Sequence, residues 1–301
     1  MTMADKLNIG LVSRTFFNLP LWAAMENGGF AAENLEVTTE ILGNAPQTPP
    51  LLDGSLHAFI GGPEAVLQNV NAGGPLRIVA GNTGKLTHSL IAAPRFARIE
   101  DMRGATVGIL NKVEGTFFQL KEMMAAHGLH YPGDYEVKDT GGVPPRHKAL
   151  LEGSIDAGLQ SIPWNYAAEE AGFKNFGEVS KYVPDWQFVT VNANNDWAKA
   201  NRPVLEGFLR ALARATEWVH ANRSLSAVIA ERELPTRRDY AERAWDHYIG
   251  TNALARDMAV NRKGLDKVIA TLMEAGLLPK DASTSTAAYI VDDYLRDARR
   301  S

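Results

Sequence analysis

The chain has 301 residues, no cysteine and a formal net charge of −4. That length suits two lobes, each with its own core, and the charge balance gives no global field for nucleic acid or an anionic membrane. The missing thiols exclude disulfides, zinc–thiolate sites and cysteine nucleophiles.

MTMADK is followed at once by LNIGLV, a strand-like run too short for a signal-peptide core. The expected location is therefore the cytoplasm for the chain as given, and the periplasm if an export signal was removed. No apolar stretch is long enough to span a bilayer as a helix. Leu7–Val12 reads as a buried strand, and Pro20 opens a helix that stops at Gly28-Gly29. LEVTTEIL, residues 35–42, is a β-branched strand ended by Gly43 to Pro46. Strands at Ala58–Ile60 and Leu76–Ala80 follow, with Pro63 starting the helix between them. A second series has strands at Ser89–Ala93, Thr106–Leu110 and Tyr135–Asp139, with helices after Gly115 and Pro145. Strands alternating with helices imply parallel sheets covered on both faces. After a returning strand at Phe188–Val191 the pattern turns helical. Pro203 starts a helix with Val204, Phe208, Ala211, Leu212, Ala215, Trp218 and Val219 on one face. Further helices are expected over Leu225–Arg232, Asp239–Tyr248, Leu265–Glu274 and Ala287–Arg299.

One phrase occurs twice: LLDGSLHAFIGGPE at Leu51–Glu64 and LLEGSIDAGLQSIPW at Leu150–Trp164. Each copy reads as a helix end, a glycine turn, a short strand and a Pro-bearing turn. Ligands in open parallel sheets sit beyond the carboxyl ends of the strands. Gly61–Glu64 and Ser161–Trp164 are thus candidate walls of one cleft, expected to face each other. His57 aligns with Asp156 at the opposite end of its strand, which marks it as structural.

LNIGLV, LLDGSLHAFIGGPEAV, IEDMRGATVGI, KVEGTFFQL, LLEGSIDAGLQSIPWNYAAEE and RPVLEGFLRALARATEWVHANR, in this order and spacing, span most of residues 7–223. Together they resemble the NMT1-like (NMT1/THI5-like) family, the substrate-binding proteins of nitrate, sulfonate and taurine ABC transporters and their thiamine-pyrimidine-precursor relatives. The resemblance implies an α/β, two-lobed type II periplasmic-binding-protein fold. It has two parallel-rich sheets flanked by helices, a central cleft and a helical C-terminal third. It also implies one lobe of residues 1–88 plus 188–301, a second of 89–187, and hinge crossovers near 82–90 and 183–192.

Arg14 falls where the resemblance places a cleft loop, and a guanidinium there holds a carboxylate or sulfonate by paired hydrogen bonds. Thr15 and Asn44 add neutral donors from adjacent loops. Gly115 and Thr116 fit a helix start whose amides face an anion, with Lys112 beside them. Glu114 departs from that pattern, because a carboxylate competes with an anion for the same amides. That points away from a simple oxyanion and towards a ligand with an amine or heterocycle. Gly62 and Glu64 end one echo strand, Gly142 ends another strand, Trp164 offers an aromatic face, and His88 stands at the crossing into the second lobe.

The implied function is to close on a small carboxylated, sulfonated or heteroaromatic solute for an ABC importer, as a monomer with a permease as partner. The alternative is a cofactor-independent decarboxylase or lyase, or a ligand sensor, on the same fold, with His88 or Glu64 as acid–base group. No His spacing suggests a metal and no Gly-rich phosphate loop suggests a cofactor.

Overall fold

The computed structural model describes residues 3–300. Ten strands run in chain order: β1 (Asp5–Leu11), β2 (Leu35–Ile41), β3 (Ala58–Gly61), β4 (Leu76–Thr83), β5 (His88–Ala92), β6 (Thr106–Ile109), β7 (Glu136–Asp139), β8 (Ala157–Ser161), β9 (Lys174–Glu178) and β10 (Val189–Asn194). They form two five-stranded sheets, ordered β2-β1-β3-β10-β4 and β7-β6-β8-β5-β9. The two orders are the same diagram. β1 lies parallel between β2 and β3, as β6 lies parallel between β7 and β8.

β10 and β5 run antiparallel to both neighbours, which parallel sheets alone would not give. Each is the first strand after the chain changes sheet. It enters without a helical crossover, and only a crossover would return it parallel.

The repeated phrase occupies equivalent places. Gly54 and Gly153 both adopt left-handed backbone, with φ of 81° and 71°, which ends the preceding helix and favours glycine. His57 donates its amide to the Asn8 carbonyl, and its Nδ1 accepts the Asn8 amide at 3.0 Å. Asp156 does the same with Thr106, its Oδ2 accepting at 2.9 Å. Both side chains therefore terminate a strand pair, and His57 stands at the amino end of β3, the end opposite Gly61-Gly62.

Helices cover both sheets, and the longest, Arg202–Ala221, buries Leu205, Phe208, Leu209, Leu212 and Val219. Phe208 stacks on Phe30 at 5.4 Å. The expected helix over Ala287–Arg299 is split into Thr286–Ala288 and Asp293–Arg300. Between them, Ile78 of β4 donates to the Tyr289 carbonyl and accepts from the Val291 amide. β9 was not expected, because KNFGE lacks alternating apolar residues, and its pairing with β5 supplies the order.

The chain crosses between sheets after Thr83 and again before Val189, and one side chain ties the crossings together. The buried Gln187 amide donates to the carbonyls of Thr83 (3.1 Å) and Val189 (2.8 Å). Its Oε1 accepts the Asn261 amide at 2.7 Å, and Asn261 caps the helix Arg262–Glu274. Gly264 in that helix lies against the crossing, since a Cβ there would stand 2.5 Å from the Gln187 nitrogen. Gln187→Ala strands buried backbone groups and is expected to cost about 2–4 kcal/mol, read as a lower urea midpoint.

Candidate functional site

The carboxyl ends of β1, β3, β6 and β7 point into one cavity, as the strand-end rule requires. Its walls include Ser13, Thr15, Gly62, His88, Glu114, Thr116, Gly142 and Arg146, with Phe17 and Phe188 as apolar sides. The free space is about 40 Å³. At roughly 10–15 Å³ per water that is about three water-sized spheres.

Arg146 is the cation of this cavity, and only 2% of it is exposed. It sits in the first turn of the helix Val143–Leu151, which starts directly after Gly142. Its stem lies over Gly108 and Gly158, which are paired across β6 and β8. A Cβ on Gly158 would stand 3.0 Å from Arg146 Cδ, and one on Gly108 would stand 3.2 Å from Cγ. The two glycines thus form the trough that holds the stem. The head donates to the carbonyls of Leu159 (Nε, 2.8 Å) and Gly141 (Nη1, 3.3 Å). No ion pair to Arg146 is found among the described residues. Burial pushes its pKa down to about 10, against the pull of the nearby Glu114 charge.

Glu64 is 7% exposed and opens the helix Glu64–Asn71. Its Oε1 accepts the amide of Gly115 at 3.1 Å, from the first residue of the helix Gly115–Ala125. Two glycines make room for it. A Cβ on Gly62 would stand 2.1 Å from Glu64 Oε2, and one on Gly115 would stand 2.6 Å from Oε1. Burial first, and the Glu114 charge second, push Glu64 up to about 8, so it is chiefly protonated at neutral pH. Glu114 is also pushed up by burial, although it keeps some exposed surface. It accepts from the Thr116 amide at 3.1 Å and from the Thr116 hydroxyl. The chain's own carboxyl groups therefore take the first amides of this helix, which a ligand oxyanion would otherwise use.

His88 is buried edge-on to Phe188 at 5.4 Å, and its Nδ1 has no hydrogen-bond partner among the described residues. Burial and then the Arg146 charge hold it well below the usual histidine range, so it is neutral.

The structure brings together Thr15, Gly62, Glu64, His88, Gly115, Thr116 and Gly142 of the residues singled out by sequence. It places four others elsewhere. Arg14 turns away, because the Glu233 carboxylate and carbonyl at the end of the helix Arg223–Glu233 take its guanidinium. Lys112 is exposed, with its ammonium 5.7 Å from the Tyr131 ring. Asn44 is exposed on the turn after β2. The buried amide nearby is Gln47, which donates to the Gly62 carbonyl and accepts from Asn192. Trp164 packs on His147 at 5.0 Å and lines an outer groove, so Glu64 faces Gly115 and not Trp164.

Sequence reasoning missed Arg146 and Ser13. A signal for Arg146 was present: a cation in the first turn of a helix opposes the helix dipole, and it follows a double-glycine strand end.

Comparison with known proteins finds the same fold in several solved structures. The alkanesulfonate-binding protein SsuA from Xanthomonas axonopodis pv. citri, bound to MOPS, is 17% identical with a TM-score of 0.75, covering 97% of this chain and 100% of that one. The periplasmic nitrate-binding protein NrtA from Synechocystis PCC 6803 is 13% identical with a TM-score of 0.81, covering 99% and 89%. The ligand-binding component of an ABC-type import system from Staphylococcus aureus, with zinc bound, is 14% identical with a TM-score of 0.80, covering 99% and 100%. A search of curated protein sequences finds no match. The family model described as NMT1/THI5 like matches residues 17–224, well over half of the chain. With two sheets of one topology closing on a cavity at their strand ends, the chain belongs to the NMT1/THI5-like family.

Proposed function

We propose that this protein is a substrate-binding protein that closes two lobes on a small organic acid and, as a monomer, hands it to an ABC permease. The lobes are residues 1–88 with 188–301, and residues 89–187, hinged near 82–90 and 183–192. The division of strands between the two sheets supports that partition. The observation that carries the reading is Arg146, a cation buried in the cavity wall with only carbonyl partners. Burying an unpaired charge is costly, and an anionic ligand supplies the missing countercharge. Protonated Glu64, packed behind Gly62 and Gly115, spares the site a second negative charge. The names of two structural neighbours, an alkanesulfonate-binding and a nitrate-binding protein, agree with an anionic ligand.

A second reading rests on the same Glu64. On that reading the Glu64 carboxyl, bonded to Gly115 next to the cavity, gives its proton to the carbanion left when a bound carboxylate departs as CO2. Mass spectrometry of a bound acid incubated with the protein separates the two: an unchanged acid supports binding alone.

Arg146→Met should separate binding from stability. Acid binding by calorimetry is expected to fall about 100-fold or more, the range for losing one partner of a buried charge pair. The thermal midpoint of the ligand-free protein is expected to move far less, because removal of a buried charge offsets the loss of the donors to the Leu159 and Gly141 carbonyls. Retained affinity would sink the reading.

Closure should also depend on pH. On this reading, parting the lobes returns Glu64 to water and to the ordinary carboxylate range, whereas in this structure burial raises it to about 8. The closed form therefore holds a proton that the open form releases. Closure is fully favoured below the ordinary carboxylate range and weakens as pH rises through about 8. Small-angle scattering across that window should show the radius of gyration increasing, and Glu64→Gln should flatten the change.

A further inference from the structure

The inner cavity is too small for most organic acids, yet it does not end at its own wall. Val12, Ser13 and Gly142 line it and also line a second, outer space of about 350 Å³. That outer groove is apolar. Its sides are Ile41 at the end of β2, Pro144 and Pro145 in the helix that carries Arg146, Trp164 at the start of the helix Trp164–Glu170, and Pro235. Arg14 is the one charged residue on its wall, and Glu233 already neutralises it. Ile41 is 48% exposed, at a strand end where a polar residue would suit water better.

Resting on the reading of Arg146 as the acid-binding group, we infer that the ligand is an acid with an apolar tail, and that the groove holds the tail. The volumes divide it in this way. About 40 Å³ beside Arg146 is the size of a carboxylate head of three heavy atoms, and 350 Å³ outside accommodates an alkyl or phenyl-alkyl chain. The seam between the two spaces is Ser13 against Gly142. A Cβ at Gly142 would stand 2.9 Å from the Ser13 side chain. A side chain at Gly142 would thicken this shared wall, and on the proposal a parting of the lobes at this seam joins the two spaces. The lobes then close on the head while the tail lies along Ile41, Pro144 and the Trp164 ring.

The test is a chain-length series of acetate, butyrate, hexanoate and 3-phenylpropionate, measured by calorimetry on the wild-type protein, Ile41→Ser and Trp164→Ala. Ile41 is half exposed, so its substitution leaves the fold intact and keeps the test decisive if Trp164→Ala misfolds. Affinity is expected to rise with tail length by up to about fourfold per buried methylene, and both variants are expected to flatten that rise. Acids that bind with no length dependence overturn the tail subsite and leave the acid-binding reading standing. The same follows from a rise that both variants leave untouched. If no acid in the series binds the wild-type protein, the acid-binding reading fails and the tail subsite fails with it.

Discussion

A guanidinium buried without a carboxylate partner sets the terms for this protein. In a medium that solvates charge poorly, such a group needs every lone pair it can reach. Arg146 has two carbonyls and a trough of two glycines, and the charges around it are adjusted to its presence. His88 is neutral beside it, as a second cation would repel it. Glu64 keeps its proton and so adds no second negative charge. Glu114 is the one nearby carboxyl whose ionisation Arg146 favours. The cavity wall thus sets one buried cation, Arg146, beside Glu114, with its other titratable neighbours His88 and Glu64 held neutral.

The second constraint is where the helix Gly115–Ala125 finds its caps. Helix amino ends need acceptors, and this one opens beside the cavity at the strand ends. Here Glu114 caps from within the same unit, and Glu64 caps from an element of the other sheet. The Glu64 bond is thus a buried contact between elements that pack on different sheets.

Much of this was legible in the sequence because it is local. The repeated phrase carries its turn glycines and strand within about fourteen residues, so both copies could be read as one unit and His57 set aside with Asp156. The Gly62–Glu64 strand end was found by the same logic. The contrast between Arg14 and Arg146 shows where local reading stops. Both arginines follow a strand end. What separates them is Glu233, 219 residues from Arg14, and the register that pairs Gly108 with Gly158. Neither is visible without the folded chain. The strand β9 and the break at Tyr289–Asp292 were missed for a related reason, since each is held by a partner strand and not by its own pattern.

That break has a consequence beyond the C-terminal helices. β4 is the last strand of its sheet, and such a strand ordinarily shows a row of free amides and carbonyls to any passing chain. Tyr289 and Val291 occupy both backbone groups of Ile78 and lay a stretch of main chain across this border. The opposite border, β2, is defended by the charges of Glu36 and Glu40 instead. The segment Tyr289–Val291 therefore acts as a selvedge. A chain shortened before Tyr289 would keep its cavity residues but offer an unfinished hem, along which two molecules could be sewn together.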